Sequence, residues 1–569
     1  MILVGDSQLS PVPRMEYPHD AFNLMDEPWI SVRTPDNGVT EVSIREAFHR
    51  ATEFRGLAGE IPTQEAAVLR LLLAIAIQAT ARFRSDDEKI DDWGQWWEEG
   101  LPLDEIDSYS DRWLNRFNLF DDSAPFMQVT DLHTSNGGYS GLTKIISEVP
   151  PNDKFFTTRD GAGTTSLSFA EAARWLVHTH AFDVSGIKSG AVGDPRVKGG
   201  RGYPIGTGIS GPMGIVIVEG KSLAETILLN LFLQDDPQQD VPVWERPPQT
   251  ATPDREHPVP TGCADLFTWQ SRRVRLIADG DRVVDVLLCN GDKVEWKYLL
   301  HNDSTTAWRY SAPQTKAAGE TVYMPRSHDS TKAMWRGLEP LLVREPAADD
   351  RRRKKAGEPD ELWLRPEIFE QLAAFSSDGA LPRDHVTRIR TIGMEYGSQS
   401  SVVTTTIDDA MPAAMAVIAD EQLGRLAVES AQTADSLIFA LQNLATDLAA
   451  ATGSESEGVR PRASEMGYAA LDPTYRDWFS RLSSRTDVET ATLSWRRRAR
   501  QVVREIGEQL CRDAGPTALT GRMVPVPNTE REDLMDRARA WQRFVARVRT
   551  SAPLPEDPHR DTKTSRKKQ

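Results

Sequence analysis

The chain is poor in cysteine and has no long apolar run, which limits the classes of protein it can belong to. Its 569 residues include three cysteines, Cys263, Cys289 and Cys511, which lie 26 and 222 residues apart. That spacing supports neither a disulfide framework nor a Cys-x-x-Cys metal site, and it suits a reducing cytoplasm. No apolar run approaches the roughly 20 residues that span a bilayer, and the first residues, MILVGDSQLSPVP, are too short an apolar segment for a signal peptide. We therefore expect a cytoplasmic protein that makes no membrane contact.

The chain also lacks net positive charge and the motifs of common catalysts. A formal net charge of −17 argues against non-specific coating of nucleic acid, although a local basic groove stays open. No GxxxxGK[ST], HExxH or GxSxG motif occurs. Residues 206–211, GTGISG, match GxGxxG, but Pro212 and a strand-like segment follow where a dinucleotide site needs a helix. His178 and His180 are two residues apart and favour two ordinary polar histidines over a metal pair. We expect no enzyme activity, no metal and no cofactor.

Glycine, in contrast, is concentrated in one segment. Ten of the thirty residues from 185 to 214 are glycine. The cations interleaved with them are Lys188, Arg196, Lys198 and Arg201. Bare backbone beside cations is typical of a close approach to phosphate or to another backbone. A glycine-rich loop that packs between domains is the alternative interpretation.

Local patterns predict a mixed region before about residue 405. Residues 29–43 read as a hairpin, residues 274–288 read as a second hairpin that turns at Asp279-Gly280, and Thr63 can cap a buried helix. The proline-rich residues 237–260 predict a long surface loop.

After residue 405 the pattern is helical. Apolar residues on one face predict a helix that ends at Gly453. Asp472-Pro473 reads as the start of a second helix, 487–514 as a third and the segment from Asn528 as a fourth, with no strand between them. On the third helix, WRRRAR (495–500) predicts a solvated face, with phosphate contact as the alternative. We expect an α+β fold with an extension (1–21), a mixed domain (22–404), a four-helix bundle (405–549) and a disordered tail (550–569).

Several segments resemble one protein family. The opening segments FNLMDEPWISV (22–32) and IPTQEAAVLRLLLAIA (61–76) are similar to those of the CasA family, the large subunit of the type I-E CRISPR Cascade complex. Shorter matches are APFMQV (124–129), KFFTT (154–158), GIKSG (186–190) and IGMEYGSQSS (392–401). A mixed N-terminal domain followed by a four-helix bundle is also the architecture of the family, so the resemblance extends over most of the chain from Phe22 to about Val548.

The resemblance implies a function in RNA-guided DNA recognition. A CasA-like subunit would recognise the protospacer-adjacent motif (PAM) of double-stranded target DNA from the minor groove, whose base pattern is degenerate. It would then start strand separation and R-loop formation, and offer a landing surface to a helicase–nuclease. Its other partners would be the 5′ handle of the CRISPR guide RNA and the remaining Cascade subunits. Such a subunit is not an enzyme.

The resemblance also implies roles for individual residues. A glycine loop that meets the PAM would comprise Gly186, Lys188, Ser189 and Gly190. The chain has Val184 and Ser185 where the family can show further glycines, which puts direct backbone approach there in question. The residues that would lie near the RNA handle are Phe156, Thr157 and Thr158, with a buried phenylalanine as the competing interpretation.

A lysine finger and a DNA wedge complete the implied site. Lys293 and Lys297 both qualify for the finger, with Lys297 preferred, and a solvent-exposed strand lysine is the alternative. Gln399, flanked by Ser398 and Ser400, is the candidate wedge; a polar turn residue is the alternative. Two other functions stay open: a protein-binding scaffold without DNA specificity, and an enzyme that binds a nucleotide at the glycine-rich stretch.

Overall fold

A computed structural model describes most of the chain. The described residues are 22–149, 159, 162–235, 237–254, 258–293, 295–344, 359, 362–454, 457–525 and 531–557. The predicted extension (1–21) lies outside them, as do residues 558–569 of the predicted tail. Among the helices of this part, none combines the length and the apolar character needed to cross a membrane.

Helices and short strands alternate up to residue 414, and helices dominate after it. The helices are α1 (Ile44–His49), α2 (Pro62–Ala79), α3 (Asp86–Glu99), α4 (Leu103–Trp113), α5 (Ala162–Thr165), α6 (Phe169–Phe182), α7 (Leu223–Asn230), α8 (Cys263–Phe267), α9 (Ala312–Ala318), α10 (Glu339–Leu342), α11 (Glu367–Asp378), α12 (Met415–Ala419), α13 (Glu421–Thr452), α14 (Val459–Phe479), α15 (Val488–Asp513), α16 (Thr517–Thr520) and α17 (Arg537–Ser551). The strands are β1 (Ile30–Arg33), β2 (Val39–Val42), β3 (Gly56–Leu57), β4 (Leu167–Ser168), β5 (Lys188–Ser189), β6 (Arg201–Gly202), β7 (Ile215–Glu219), β8 (Arg272–Asp279), β9 (Arg282–Asn290), β10 (Trp308–Tyr310), β11 (Tyr323–Pro325), β12 (Trp363–Leu364), β13 (Val386–Tyr396), β14 (Val403–Ala414), β15 (Arg522–Pro525) and β16 (Glu532–Met535). The mixed α+β fold that the sequence predicts is confirmed.

The chain forms two compact units that are not contiguous in sequence. The first contains residues up to 330 together with 357–371 and 390–409, and the second contains 331–356, 372–389 and everything from 410 onward. The predicted boundary at 404/405 falls inside β14. Two segments that precede this boundary therefore belong to the second unit.

The first unit is organised around a buried helix. Nearly all of α2 is buried, as its apolar sequence predicts. Pro62 is its first residue and Ile61 its N-cap, so Thr63 does not cap the helix as predicted. The Thr63 hydroxyl is buried instead and hydrogen-bonds the His178 imidazole of α6 over 3.0 Å. A long-range partner thus replaces the local cap.

A sheet in the first unit carries the glycine-rich segment. Its strand order is β4-β9-β5-β6, and β8 also pairs with β9. The predicted hairpin is confirmed as β8 and β9, and Gly280 makes the turn with a φ of 60°. The hairpin at 29–43 is confirmed as β1 and β2. Ser189 of β5 pairs with Cys289 of β9 in parallel and with Arg201 of β6 antiparallel. The glycine-rich segment is therefore anchored on a sheet.

The proline-rich segment is more ordered than predicted. It contains short 3-10 turns at Pro237–Gln239 and Val243–Glu245. Trp244 is 1% exposed and donates from its indole nitrogen to the Tyr109 hydroxyl over 2.7 Å. The prediction of a plain surface loop is wrong here, because one large aromatic side chain fixes the segment to the core.

The second unit contains the C-terminal helical bundle, in which α14, α15 and α17 all pack on α13. α13 ends at Gly453, whose φ of 70° makes the predicted left-handed cap. A Cβ on Gly467 would lie 2.2 Å from a methyl carbon of Ile438, so this glycine lets α14 approach α13 closely. The Tyr475 hydroxyl donates to the Ala427 carbonyl over 2.7 Å. Close backbone approach and buried aromatics hold the bundle together.

Two helix starts in the bundle were predicted wrongly. Pro473 lies inside α14 and does not begin a helix. The Asp472 carboxylate is not a cap; it accepts from the Trp335 indole nitrogen over 2.8 Å and from Arg476. The strands β15 and β16 form a hairpin before α17, which starts at Arg537 and not near Asn528. The four predicted helices of the bundle are therefore present, but the expectation that no strand lies between them is wrong.

Three of the four arginines of 495–500 bind acidic groups of the chain itself, and Arg496 donates to the Pro553 carbonyl. Arg498 pairs with Asp477 at 2.6 Å, Arg497 with Glu556 at 3.3 Å, and Arg500 with Asp557. Two of these acids lie in the predicted disordered tail, whose residues 552–557 are thereby fixed to α15. Arg497 and Arg498 remain partly exposed, as a solvated face predicts, but their guanidinium groups are paired within the chain.

Candidate nucleic-acid interface

The glycine loop (residues 186–190) and the turn that follows β13 border one cleft. We call residues 397–402 the wedge turn. The cleft has a volume of about 570 Å³ and lies within the first unit. Its lining includes Ser140, Lys144, Ser147, Gly186, Ile187, Lys188, Ser189, Arg201, Ser401 and Val402. Two motifs that are about 200 residues apart in sequence thus contribute to the same surface.

Glycine is required at two positions of the loop for different reasons. Gly186 has a φ of 155°, which a side chain rarely tolerates, and a Cβ there would meet open space. Gly190 is buried, and a Cβ on it would lie 2.6 Å from the Gly200 carbonyl carbon. Its amide donates to the Gly200 carbonyl over 3.1 Å. Gly186 therefore serves the conformation of the loop, and Gly190 serves its contact with the neighbouring segment.

The Lys188 side chain points inward. Its ammonium lies 2.6 Å from the Asp183 carboxylate, and only 8% of the side chain is exposed. Arg272 pairs with the same carboxylate and is fully buried. Arg272 also donates to the main-chain carbonyls of Val184 and Gly206 over 3.0 and 2.9 Å. These three buried charges fix the main chain that directly precedes the glycine loop.

The protonation of this group follows from its surroundings. Burial alone would raise the pKa of Asp183, but the Lys188 and Arg272 cations outweigh it and hold that pKa below its usual value. Burial lowers the pKa of Lys188, and the attraction of Asp183 offsets part of this effect. Both effects arise because the three charges are removed from water. The carboxylate is therefore ionised and is the centre of the cluster.

The GTGISG stretch caps a helix. The amides of Gly208, Ile209 and Ser210 donate to carbonyls at or next to the end of α6, over 2.7–3.2 Å. A Cβ on Gly208 would lie 2.5 Å from the Ala181 carbonyl carbon, so only glycine fits there. These contacts satisfy carbonyls that the helix itself leaves unpaired. The rejection of a dinucleotide site is consistent with this structural role, and β7 follows the stretch.

The wedge turn holds a strained backbone. Gln399 and Ser400 have φ values of 55° and 53°, which are uncommon for residues other than glycine. The Gln399 side chain is exposed and forms no hydrogen bond with a described residue. The Ser400 amide donates to Gly397 and the Ser401 hydroxyl to Ser398, each over 2.9 Å. Such strain often occurs at functional sites.

The two lysine-finger candidates follow β9 and lie in no strand. Lys293 is exposed, and its ammonium lies 2.9 Å from Glu295. Lys297 lies in a 3-10 turn, Trp296–Tyr298, and is partly buried. Among the described lining residues of the cleft, neither lysine occurs. The residues predicted near the RNA handle, Phe156, Thr157 and Thr158, lie outside the described residues.

Two cations of the cleft are not among the DNA contacts that the sequence led us to expect. Lys144 and Arg201 line it, are exposed, and form no ion pair in the part of the chain that is described. Arg201 was recognised as a cation of the glycine-rich segment but was not assigned a contact with DNA. Lys144 stands in no recognisable pattern, and only the fold brings it to the cleft.

The two histidines of α6 are buried. His178 also hydrogen-bonds the Ser147 hydroxyl over 3.3 Å, and His180 donates to the Met127 carbonyl over 3.0 Å. Burial lowers the pKa of both to about 3, so they are neutral at pH 7. Within the described ranges, no group of three or more His, Cys, Asp or Glu side chains is arranged to hold a metal ion. The histidines serve the core.

The family model described as CRISPR-associated protein Cse1 matches residues 23–506. The chain belongs to the Cse1 family. The resemblance of its opening segments to this family, also called CasA, is thereby confirmed. The family assignment covers both compact units, since the match extends into α15.

Relatives in the Cse1 family agree with this assignment. The CRISPR-associated protein CasA/Cse1 of Thermus thermophilus is 32% identical over 336 residues, which are 57% of this chain and 61% of that relative. The crystal structure of Thermobifida fusca Cse1 is 39% identical, with a TM-score of 0.84, over 94% of this chain and 98% of that one. A chain in a structure described as a CRISPR RNA-guided surveillance complex is 18% identical, with a TM-score of 0.64, over 93% and 99% of the two chains. The last similarity concerns the fold alone.

Proposed function

We propose that the chain is a non-catalytic subunit of a CRISPR RNA-guided surveillance complex, in which it recognises the PAM of double-stranded target DNA and starts strand separation. The observation that carries the proposal is the shared cleft. The Ser185 amide, beside the glycine loop, donates to the Ser400 carbonyl of the wedge turn over 2.8 Å. A segment suited to reading a groove therefore adjoins one suited to entering a duplex.

The chemistry of the cleft supports contact with a minor groove. Gly186 and Ser189 present backbone and a small hydroxyl, which fit a groove about 6 Å wide, whereas Gly190 supports the loop through its contact with Gly200. Lys144 and Arg201 supply exposed positive charge for the phosphates. Lys188 has an indirect role, because its ammonium holds the loop from within. Local charge of this kind is compatible with the acidic chain as a whole.

Strand separation is assigned to the wedge turn. Gln399 would enter the duplex beside the PAM, with Ser398 and Ser400 on either side of it. Unstacking costs a few kcal/mol per step, which guide pairing and protein contacts must offset. The backbone of the wedge turn is already held by the Ser400 amide and Ser401 hydroxyl bonds, so ordering the turn adds little to this cost.

The remaining roles rest on the family. Lys297 or Lys293 would act as the lysine finger, and replacing both by alanine should weaken capture of PAM-bearing duplexes. Phe156, Thr157 and Thr158 would lie near the 5′ handle of the guide RNA. Other Cascade subunits and a recruited helicase–nuclease complete the partners.

A gel-shift comparison tests the proposed function. The surveillance complex is reconstituted with and without this chain and is offered matched duplexes that differ only in the PAM. We expect PAM discrimination and R-loop formation only when the chain is present. Discrimination that persists without it would contradict the proposal and favour a scaffold role. A thermal shift of the chain by ATP or a dinucleotide would favour a nucleotide-binding enzyme.

A further inference from the structure

A second hydrogen bond joins the wedge turn to the base of the glycine loop. Tyr396 is the last residue of β13 and directly precedes the wedge turn. Its hydroxyl donates to the Phe182 carbonyl over 2.8 Å across a sequence separation of 214 residues. Phe182 ends α6, and the glycine loop starts four residues later. Together with the Ser185–Ser400 bond, this contact ties both sides of the cleft to each other.

The partners of Tyr396 form a firm base. The Phe182 carbonyl belongs to the last turn of a helix, where carbonyls need partners from outside the helix. The next residue, Asp183, is fixed by Lys188 and Arg272. Gly211 leaves room for the tyrosine, since a Cβ there would lie 3.0 Å from its hydroxyl oxygen. A displacement of residues 182–185, which precede the glycine loop, would therefore be transmitted to the Tyr396 hydroxyl through its hydrogen bond to Phe182.

The other end of this link is the strained part of the wedge turn. The Ser185 amide binds the carbonyl of Ser400, one of the two residues with positive φ. A strained backbone persists only when its surroundings determine it. The surroundings of the wedge turn are the segment before the glycine loop, whose Ser185 amide binds Ser400, and the strands β13 and β14, which flank the turn.

We propose that Tyr396 is a positioning residue that couples the glycine loop to the wedge turn, so that engagement of the loop by duplex DNA sets the wedge for strand separation. This inference rests on the proposed function. It assigns to the tyrosine no contact with DNA. Its hydroxyl fixes the position of the wedge turn relative to the glycine loop, whereas the Gln399 side chain enters the duplex.

The test separates binding from opening. The complex is reconstituted with Tyr396→Phe, which removes only the hydroxyl. One PAM-bearing duplex carries 2-aminopurine at the first target pair, so that its fluorescence reports strand separation. A second duplex of the same sequence is cross-linked at that pair and reports binding alone. We expect opening to fall about three- to ten-fold, as loss of one hydrogen bond predicts, and binding of the cross-linked duplex to change by less than about two-fold.

One variant serves as the control. Thr404→Val removes a hydroxyl whose bond, to the Glu395 carbonyl over 3.1 Å, stays within the hairpin. This variant should open DNA like the wild type. Opening by Tyr396→Phe at the wild-type level would overturn the coupling, and so would equal losses on both duplexes. A wild-type complex that ignores the PAM of the cross-linked duplex would instead overturn the proposed function itself.

Discussion

Replacing Lys188 by methionine tests whether this lysine of the glycine loop acts on DNA or on the loop. Methionine keeps the apolar stem and removes the ammonium. In the folded chain that ammonium binds Asp183 and is almost fully buried, so it is not available to a phosphate. We therefore expect Lys188→Met to change the stability of the protein and not its electrostatic contact with DNA.

The expected loss of stability is modest. Removing one partner of a buried ion pair typically costs about 3–5 kcal/mol, because the other charge is left without compensation. Here the Asp183 carboxylate keeps Arg272, and the burial of the lysine charge, which lowers its pKa, is relieved as well. We therefore expect the free energy of unfolding to fall by only about 1–2 kcal/mol, which is less than this typical cost.

The decisive assay is the salt dependence of DNA binding. Each phosphate contact contributes about 0.9 to the slope of log K against log salt concentration. Complexes with Lys188→Met should keep the wild-type slope. Complexes with Arg201→Met should lose about 0.9 of it, because the Arg201 guanidinium is exposed in the same cleft.

A measured slope that falls by about 0.9 in Lys188→Met would refute this reasoning. It would mean that the ammonium leaves Asp183 when DNA binds. A wild-type slope with uniformly weaker binding at every salt concentration would agree with a looser loop. Urea unfolding of the same variant checks the stability change independently.

Three further predictions concern the wedge turn, the helix cap and the buried histidines. Gln399→Ala should lower R-loop yield while changing initial duplex association by less than about two-fold, because insertion follows binding; an R-loop yield equal to that of the wild type would contradict the wedge role. Gly208→Ala should cost about 1–3 kcal/mol of stability through the clash with the Ala181 carbonyl, seen as a lower melting temperature, whereas Gly56→Ala meets no atom within 4 Å and should melt like the wild type. Because burial lowers the pKa of His178 to about 3 from 6.5, the unfolded chain takes up a proton below pH 6.5 that the folded chain refuses, and stability falls as the pH drops. Between pH 6 and pH 5, the free energy of unfolding measured with urea should therefore change with pH by about 1 kcal/mol per pH unit less in His178→Gln than in the wild type. Equal slopes in the two proteins would contradict a neutral buried imidazole.

Local rules succeeded where a residue and its structural partner lie close in sequence. The left-handed cap at Gly453 and the hairpin turn at Gly280 both depend on a few adjacent residues, and both are present. The same rules failed at Thr63 and at Pro473. Thr63 binds a histidine 115 residues away, and the aspartate before Pro473 binds a tryptophan 137 residues away. In each case a distant partner outweighs a local cap.

The candidate site divides in the same way. The sequence singled out the glycine loop and Gln399 because short motifs resemble those of the Cse1 family. It also listed Lys188 among the DNA contacts, since a cation beside glycines suggests phosphate. In the structure the Lys188 ammonium binds the buried Asp183 carboxylate, so this side chain points into the protein and not toward solvent. Only a folded chain shows which cations of the segment, such as Arg201, remain exposed.

The family, the buried helix α2 and the turns at Gly280 and Gly453 could be read from the sequence, because the opening segments, the helical periodicity and the turn glycines are local features. Tertiary structure alone decided that the glycine loop and the wedge turn share one cleft. The bonds from Tyr396 to Phe182 and from Ser185 to Ser400 each span more than two hundred residues. Hydrogen bonds and buried ion pairs of this kind depend on distances in space, and periodicity and spacing in sequence carry no information about those distances.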